Sequence, residues 1–155
     1  MHKVLLAFYK GTKRENPKSH FIDRTICRVT GSRFSHTELV YDYSPVTNIG
    51  LCWSSSHRDG GVRSTRIEFE STHWEIYEVA TEKTEDDIHE FFSEHYGKKY
   101  DWFGAIGAGF HIFRQNPEYW FCSEIIAACL GLDKPHTYTP ESLFKYYSPT
   151  QRQVL

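Results

Sequence analysis

The sequence lacks the long apolar segments that mark membrane and exported proteins. No run approaches the roughly 20 apolar residues that a transmembrane helix needs. The N-terminal stretch MHKVLLAFYKG is apolar only from Val4 to Tyr9, which is shorter than the apolar region of a signal peptide, and no small-residue cleavage site follows it. This stretch is predicted to be the first strand of the fold. We therefore expect a cytoplasmic protein without an integral membrane segment.

Basic clusters and metal-binding patterns are also missing. The chain has 18 basic and 20 acidic residues, with no basic block, so a nucleic-acid partner is not expected. Four cysteines and nine histidines suggest a metal protein at first, but no CxxC pair and no HxxxH spacing with a partner pair is present. We expect no metal and no other cofactor. The thiols are expected to be free, in a reducing compartment.

What is present is the composition of a globular protein, with 39% hydrophobic and 16% aromatic residues in 155. No repeat or linker divides the chain, so we predict one domain over residues 1–155. Strand-like patterns lie at 36–43, 48–56, 58–69 and 73–80, and helix-like patterns at 21–31, 84–96, 119–131 and 139–147. For the apolar, glycine-rich segment 100–113, the sequence does not decide between helix and strand. Strands followed by helices predict an α+β fold, a small antiparallel sheet packed against helices.

Cys122 opens the segment FCSEIIAACLGL. Four apolar residues follow it on one helical face, at offsets of three, four, seven and eight: Ile125, Ile126, Cys129 and Leu130. A helix N-terminus carries partial positive charge and free N–H groups, which favour a thiolate and can hold an oxyanion. The simpler alternative is a small buried hydrophobe, as cysteines often are.

A catalytic cysteine needs a base, and His36 in RFSHTELVY is the candidate with the most context. It opens a predicted strand, along which side chains alternate between faces. His36, Glu38 and Val40 therefore share one face of that strand. Taken alone, a histidine at this position is more often an ordinary surface or core residue.

Four motifs in this order resemble a known family: FSHTELVY, SSSHRDGGVR, YDWFGAIGAGF and WFCSEIIAACLGL. They are similar to those of the circularly permuted papain-like cysteine hydrolases of the NlpC superfamily, in which the histidine strand precedes the cysteine helix. The resemblance covers about residues 34–132. It implies a permuted papain-like fold, with Cys122 as the nucleophile and His36 as the general base.

The family also uses a third polar residue that orients the histidine, usually from the next strand. A hairpin across 44–48 places Ser55 or Ser56 opposite His36, where a carboxylate, amide or imidazole is the usual residue. Glu38 lies two residues along the strand, about 6.6 Å away by strand rise. His57 is a further option, and the sequence does not decide among them.

The resemblance implies a cysteine hydrolase that cleaves an amide or ester bond through an acyl-enzyme. Its expected partner is a peptide, peptidoglycan-peptide or acyl-amide substrate, in the setting of a phage or bacterial protein. The alternative is a catalytically weak or inactive papain-like fold that acts as a binding module, which the unusual third residue suggests.

Overall fold

One sheet with helices packed against it organises the chain in a computed structural model that describes residues 1–11, 17–102 and 116–155. The strands are β1 His2–Tyr9, β2 His36–Ser44, β3 Ile49–Ser56, β4 Gly61–Glu68, β5 Trp74–Thr81, β6 Lys99–Tyr100, β7 Tyr119–Trp120 and β8 Arg152–Gln153. The described helices are α1 Pro17–Thr30, α2 Glu85–His95, α3 Cys122–Cys129 and α4 Pro140–Tyr147, with a 3₁₀ turn at Pro135–Thr137. The predicted α+β class is confirmed.

The eight strands lie in the order β7-β6-β4-β3-β2-β1-β5-β8. All neighbouring pairs are antiparallel except β6 and β7. The five long strands match the predicted segments to within three residues at each end. The three two-residue strands were not predicted, because two residues are too few to show a period of two.

Helix ends follow the capping signals of the sequence. Thr139 caps α4 by accepting a hydrogen bond from the Ser142 N–H, and Pro140 takes the first helical position, as predicted. Gly31 follows α1 with a φ of 62°, although α1 begins earlier than predicted, at Pro17. The predicted helix 119–131 is shorter in the structure, since 119–120 form β7. Most of the segment 100–113, for which no secondary structure is predicted, lies outside the described residues.

The sheet divides the apolar residues into two clusters. The larger cluster joins Leu6 of β1 and Leu39 of β2 to Ile125 and Ile126 of α3. The smaller cluster lies on the opposite face and includes Ala7, Val40, Cys52, Phe69 and Ile76. Cys129 is buried in the larger cluster, as predicted. The apolar face of α3 thus packs on the sheet, and this packing fixes the position of the helix N-terminus relative to the sheet.

Neighbouring glycines at the β3–β4 turn serve different purposes. Glycines in a turn commonly adopt positive φ, and both lie in the segment RDGGVR. Gly60 does so, with a φ of 82°. Gly61 instead belongs to β4, and a Cβ there would overlap the carbonyl oxygen of Lys98. Only a residue without a side chain allows the backbone before β6 to pass this close to β4.

All four cysteines are free thiols. Within residues 1–11, 17–102 and 116–155, no helix combines the length and the apolar character needed to cross a membrane. In the same ranges, no three side chains of the metal-binding types come together as a set that would hold an ion.

Candidate active site

The start of β2 and the start of α3 meet at one end of the sheet. His36 is the first residue of β2, and Cys122 is the first residue of α3. The His36 imidazole and the Cys122 side chain interact, and this interaction raises the pKa of His36. The two residues are 4% and 2% exposed. Cys122 packs with Tyr100 and Phe121 in a small cluster of its own, so it is not part of the main core.

Glu38 is the second partner of His36. The ring Nε2 lies 2.7 Å from Glu38 Oε1, and the glutamate is fully buried. Because Nε2 is bound to this carboxylate, Nδ1 is the ring nitrogen that remains for the Cys122 sulfur. His36 and Glu38 are two residues apart on β2, and the long glutamate side chain spans that distance to reach the imidazole. Among the options that the sequence left open, the structure brings Glu38 to the imidazole.

Arg63 of β4 holds the same carboxylate from the other side. Its Nη1 donates to Glu38 Oε2 at 2.7 Å and its Nη2 to Glu38 Oε1 at 2.6 Å. Its Nε donates to Asp59 Oδ2 at 2.8 Å. Ser54 of β3 pairs with Arg63, and the Leu39–Trp53 pairing, extended by one residue, brings Ser54 beside Glu38. The small serine leaves room for the guanidinium to reach across β3.

These contacts set the charges of the site. Burial alone raises the pKa of Glu38, but the Arg63 charge and the His36 imidazolium outweigh it and bring this pKa to about 2. Burial alone lowers the pKa of His36, but the interactions with Cys122 and Glu38 outweigh it and raise this pKa to about 9. At neutral pH, Glu38 is therefore a carboxylate and His36 an imidazolium.

Ser55 does not take the position expected of it. Extending the Leu39–Trp53 pairing brings Ser56, not Ser55, opposite His36. Alternation along β3 then turns Ser55 to the other face of the sheet, where its hydroxyl donates to the Trp120 carbonyl at 2.6 Å. Ser55 therefore supports the backbone two residues before Cys122, and the prediction that it orients the histidine is corrected.

A second hydroxyl supports the same helix start. Ser123 donates to the Tyr138 carbonyl at 2.6 Å, in the segment that leads into α4. Together with Ser55, it ties both sides of Cys122 to the scaffold. These two bonds fix the position of the thiol relative to β2, which is the property that a nucleophile with a separate base requires.

His57 lies near the pair without taking the role of its partner. Its ring packs against Tyr100 and Trp102, with centroid distances of 5.8 Å and 5.7 Å. Burial lowers the pKa of His57 to about 4, and the positive charge of His36 acts in the same direction. His57 is therefore a neutral imidazole at physiological pH. Its ring forms part of the aromatic surroundings of the site.

A narrow crevice of about 10 Å³ reaches the thiol. Its walls come from α1, from the residue before β2, from β6 and from the beginnings of α3 and α4. The lining residues are Ile26, Thr30, Ser35, Tyr100, Phe121, Cys122, Thr139 and Pro140. The lining is mostly apolar, and the space is about that of one water molecule.

The assembled parts are those of nucleophilic catalysis. A thiol stands at a helix N-terminus, an imidazole lies beside it, and a buried carboxylate holds the other ring nitrogen. Sequence reasoning found Cys122, His36 and Glu38 but missed Arg63. No local sequence signal points to Arg63, because its contact with Glu38 depends on the order of β2, β3 and β4 in the sheet.

Comparison with known proteins neither supports nor contradicts this interpretation. No protein-family model matches the sequence, and no curated protein matches it significantly. The resemblance to the permuted papain-like hydrolases therefore depends on the motifs around His36 and Cys122.

Proposed function

We propose that this protein is a cysteine hydrolase that cleaves an amide or ester bond through a thioester acyl-enzyme. The observation that carries the proposal is the placement of the His36 imidazole, which is hydrogen-bonded to Glu38 and interacts with the Cys122 side chain. A cysteine buried only for packing has no need of an imidazole and a fully buried carboxylate, since both are costly to bury. The arrangement supports catalysis more directly than it supports stability.

In the first half-reaction, Cys122 reacts as a thiolate whose proton is held by the His36 imidazolium. The sulfur attacks the substrate carbonyl carbon, and the carbonyl π electrons move to oxygen to give a tetrahedral oxyanion. The backbone N–H groups at the start of α3 are suited to hold that oxyanion, because the first turn of a helix leaves its N–H groups without helical acceptors. The oxyanion then collapses, the bond to the leaving group breaks, and the His36 imidazolium gives its proton to that group.

In the second half-reaction, water replaces the leaving group. Neutral His36 takes a proton from the water, whose oxygen attacks the thioester carbonyl. The C–S bond breaks, the sulfur leaves as a thiolate beside the His36 imidazolium, and the acid is released. Glu38 stays ionised throughout and stabilises the imidazolium that forms in each half-reaction.

The resemblance supplies the proposed architecture and substrate class. Within the observed α+β fold, the histidine strand before the cysteine helix is the order of the permuted papain-like hydrolases. By that resemblance, the substrate is a peptide, a peptidoglycan peptide or an acyl amide.

Site-resolved alkylation tests the nucleophile without knowledge of the substrate. Iodoacetamide is added at pH 7, and each thiol is followed by peptide mass spectrometry. Cys27 is the internal control, because burial and the nearby Asp23 and Glu141 raise its pKa to about 11 while its side chain stays half-buried. We expect Cys122 to react at least about tenfold faster than Cys27, although it is far less exposed.

The same assay in His36→Ala decides whether the imidazole activates the sulfur. We expect alkylation of Cys122 to slow by at least about tenfold while Cys27 is unchanged. Equal rates with and without His36 would contradict the proposal. A panel of acyl amides and peptides, with intact-mass detection of an acyl adduct on Cys122, then tests turnover. Ligand-dependent thermal shifts without adduct or product would favour the binding-module alternative.

A further inference from the structure

We propose that Arg63 is a positioning residue that limits how tightly Glu38 holds the proton of His36. The inference deepens the proposed function of this site and rests on it. Arg63 Nη2 and His36 Nε2 bind the same carboxylate oxygen, Glu38 Oε1, at 2.6 Å and 2.7 Å. The guanidinium thus competes with the imidazole for one acceptor, in addition to holding the second oxygen, Oε2.

Orientation is the first effect of Arg63. Two parallel hydrogen bonds from a planar guanidinium fix the rotation of a carboxylate in a way that one bond does not. Asp59 holds the Nε of the same guanidinium from the β3–β4 turn, at the solvent edge. The carboxylate plane, and with it the ring plane of His36, is therefore set from the surface of the protein inward.

Charge is the second effect. From the buried sulfur outward, Cys122, His36, Glu38, Arg63 and Asp59 form a chain in which negative and positive groups alternate when the thiol is ionised. Two cations that share one oxygen lie within about 5 Å of each other, so Arg63 repels the charge on the imidazolium.

Without Arg63, the buried carboxylate has His36 as its remaining direct cationic partner. Loss of the shared proton then leaves a buried anion without compensation, so the His36–Glu38 pair keeps its proton to higher pH. An imidazolium that keeps its proton too tightly is a poor acid for the leaving group. Arg63 thus keeps the pair acidic enough to donate.

Other ionisable groups surround the pair and stay unchanged in the variants below. They include Cys122 of α3, Asp59, Cys52 of β3, His57 and Arg58 after β3, Asp23 of α1 and Tyr100 of β6. Burial keeps His57 neutral, and the Asp23–Arg58 ion pair carries no net charge. The Glu38–Arg63 contact is therefore the element that the following experiment changes.

The experiment is an NMR titration of the full chain with ¹⁵N-labelled histidine, in wild type and in Arg63→Met. We expect the His36 midpoint to rise by about one pH unit or more in Arg63→Met. The matched control is Arg66→Met, which removes an exposed arginine of the same strand and should leave the midpoint in place. An unchanged or lower midpoint in folded Arg63→Met overturns the proposal.

A second background covers the case in which Arg63→Met does not fold. Glu38→Gln removes the anion and leaves Arg63 as a cation beside His36, and adding Arg63→Met removes both partners of the ion pair, which folded proteins tolerate better than the loss of one. We expect the His36 midpoint to be higher in the double variant than in Glu38→Gln alone. Equal midpoints in these two proteins would also overturn the proposal.

The titration needs no substrate, so its failure is distinct from failure of the proposed function. If the wild-type protein forms no acyl adduct, the proposed hydrolase function is refuted, whatever the His36 titration midpoints are. With an active wild type, the alkaline limb of the acylation rate in Arg63→Met should rise together with the NMR midpoint. A residue with a purely structural role would lower the rate at every pH and leave the limb in place.

Discussion

Replacement of Glu38 by glutamine tests the electrostatics of the site most directly. The substitution keeps the size and shape of the side chain and removes its negative charge. Glutamine can still accept a hydrogen bond from His36 through its amide oxygen, so the ring keeps a partner. What changes is the stabilisation of the imidazolium and the compensation of the Arg63 charge.

The size of the effect follows from the pKa of His36. This pKa is about 9, against 6.5 for an unperturbed histidine, because the interactions with Cys122 and Glu38 together outweigh burial. Cys122 is the larger of the two contributors. Because burial opposes the rise, the contributions of Cys122 and Glu38 together exceed the net rise, so the loss of Glu38 lowers the pKa by at least about one unit, or about 1.4 kcal/mol. The uncompensated Arg63 lowers it further, so we expect a pKa of about 8 or below.

The assay is the pH dependence of acyl-enzyme formation between pH 5 and 10. The imidazolium is the acid that protonates the leaving group, so the rate falls as the pH rises through the pKa of His36. We expect this alkaline limb near pH 9 in wild type and about one unit lower in Glu38→Gln. Asp42→Asn, an exposed change on the same strand, is the control. A limb that stays near pH 9 in Glu38→Gln would refute the reasoning.

Two further predictions concern stability. The pKa of Glu38 is about 2 in the fold and 4.5 ordinarily, so its ion pair stabilises the protein above pH 4.5 and this contribution is lost as the pH falls through 2. Urea titrations should show a loss on the order of 3 kcal/mol over that range in wild type, beyond the loss in Glu38→Gln. Gly61→Ala should cost about 2–3 kcal/mol or prevent folding, because the new methyl group meets the Lys98 carbonyl. Gly60→Ala, which has open space but a φ of 82°, should cost about 1–2 kcal/mol in the same urea assay, and equal losses would contradict the packing argument.

The sequence determines the long elements of this fold because they are amphipathic and capped. Alternation identifies the long strands, and the Thr139–Pro140 pair and Gly31 mark helix ends that the structure confirms. The two-residue strands escape prediction because tertiary packing, not local periodicity, creates them. Gly61 escapes for a related reason, since the close approach of Lys98 depends on a neighbour almost 40 residues away.

The candidate site is predictable as far as it depends on single elements. The helix start fixes Cys122, and strand alternation places His36 and Glu38 on one face. The choice of Glu38 over Ser55 was not available, because it depends on the register of β2 and β3, and an irregularity between Val40 and Asp42 shifts that register. The contact of Arg63 with Glu38 could not be predicted for the same reason, because it depends on the order of β2, β3 and β4 in the sheet.

The central place of β1 in the sheet has a consequence for biosynthesis. β1 pairs with β5, about 70 residues later in the chain, so this part of the sheet cannot close until β5 has left the ribosome. The sulfur that meets the imidazole is translated some 40 residues later still. A ribosome-bound chain therefore carries His36 well before it carries Cys122, and the two side chains can meet only after the start of α3 has left the ribosome.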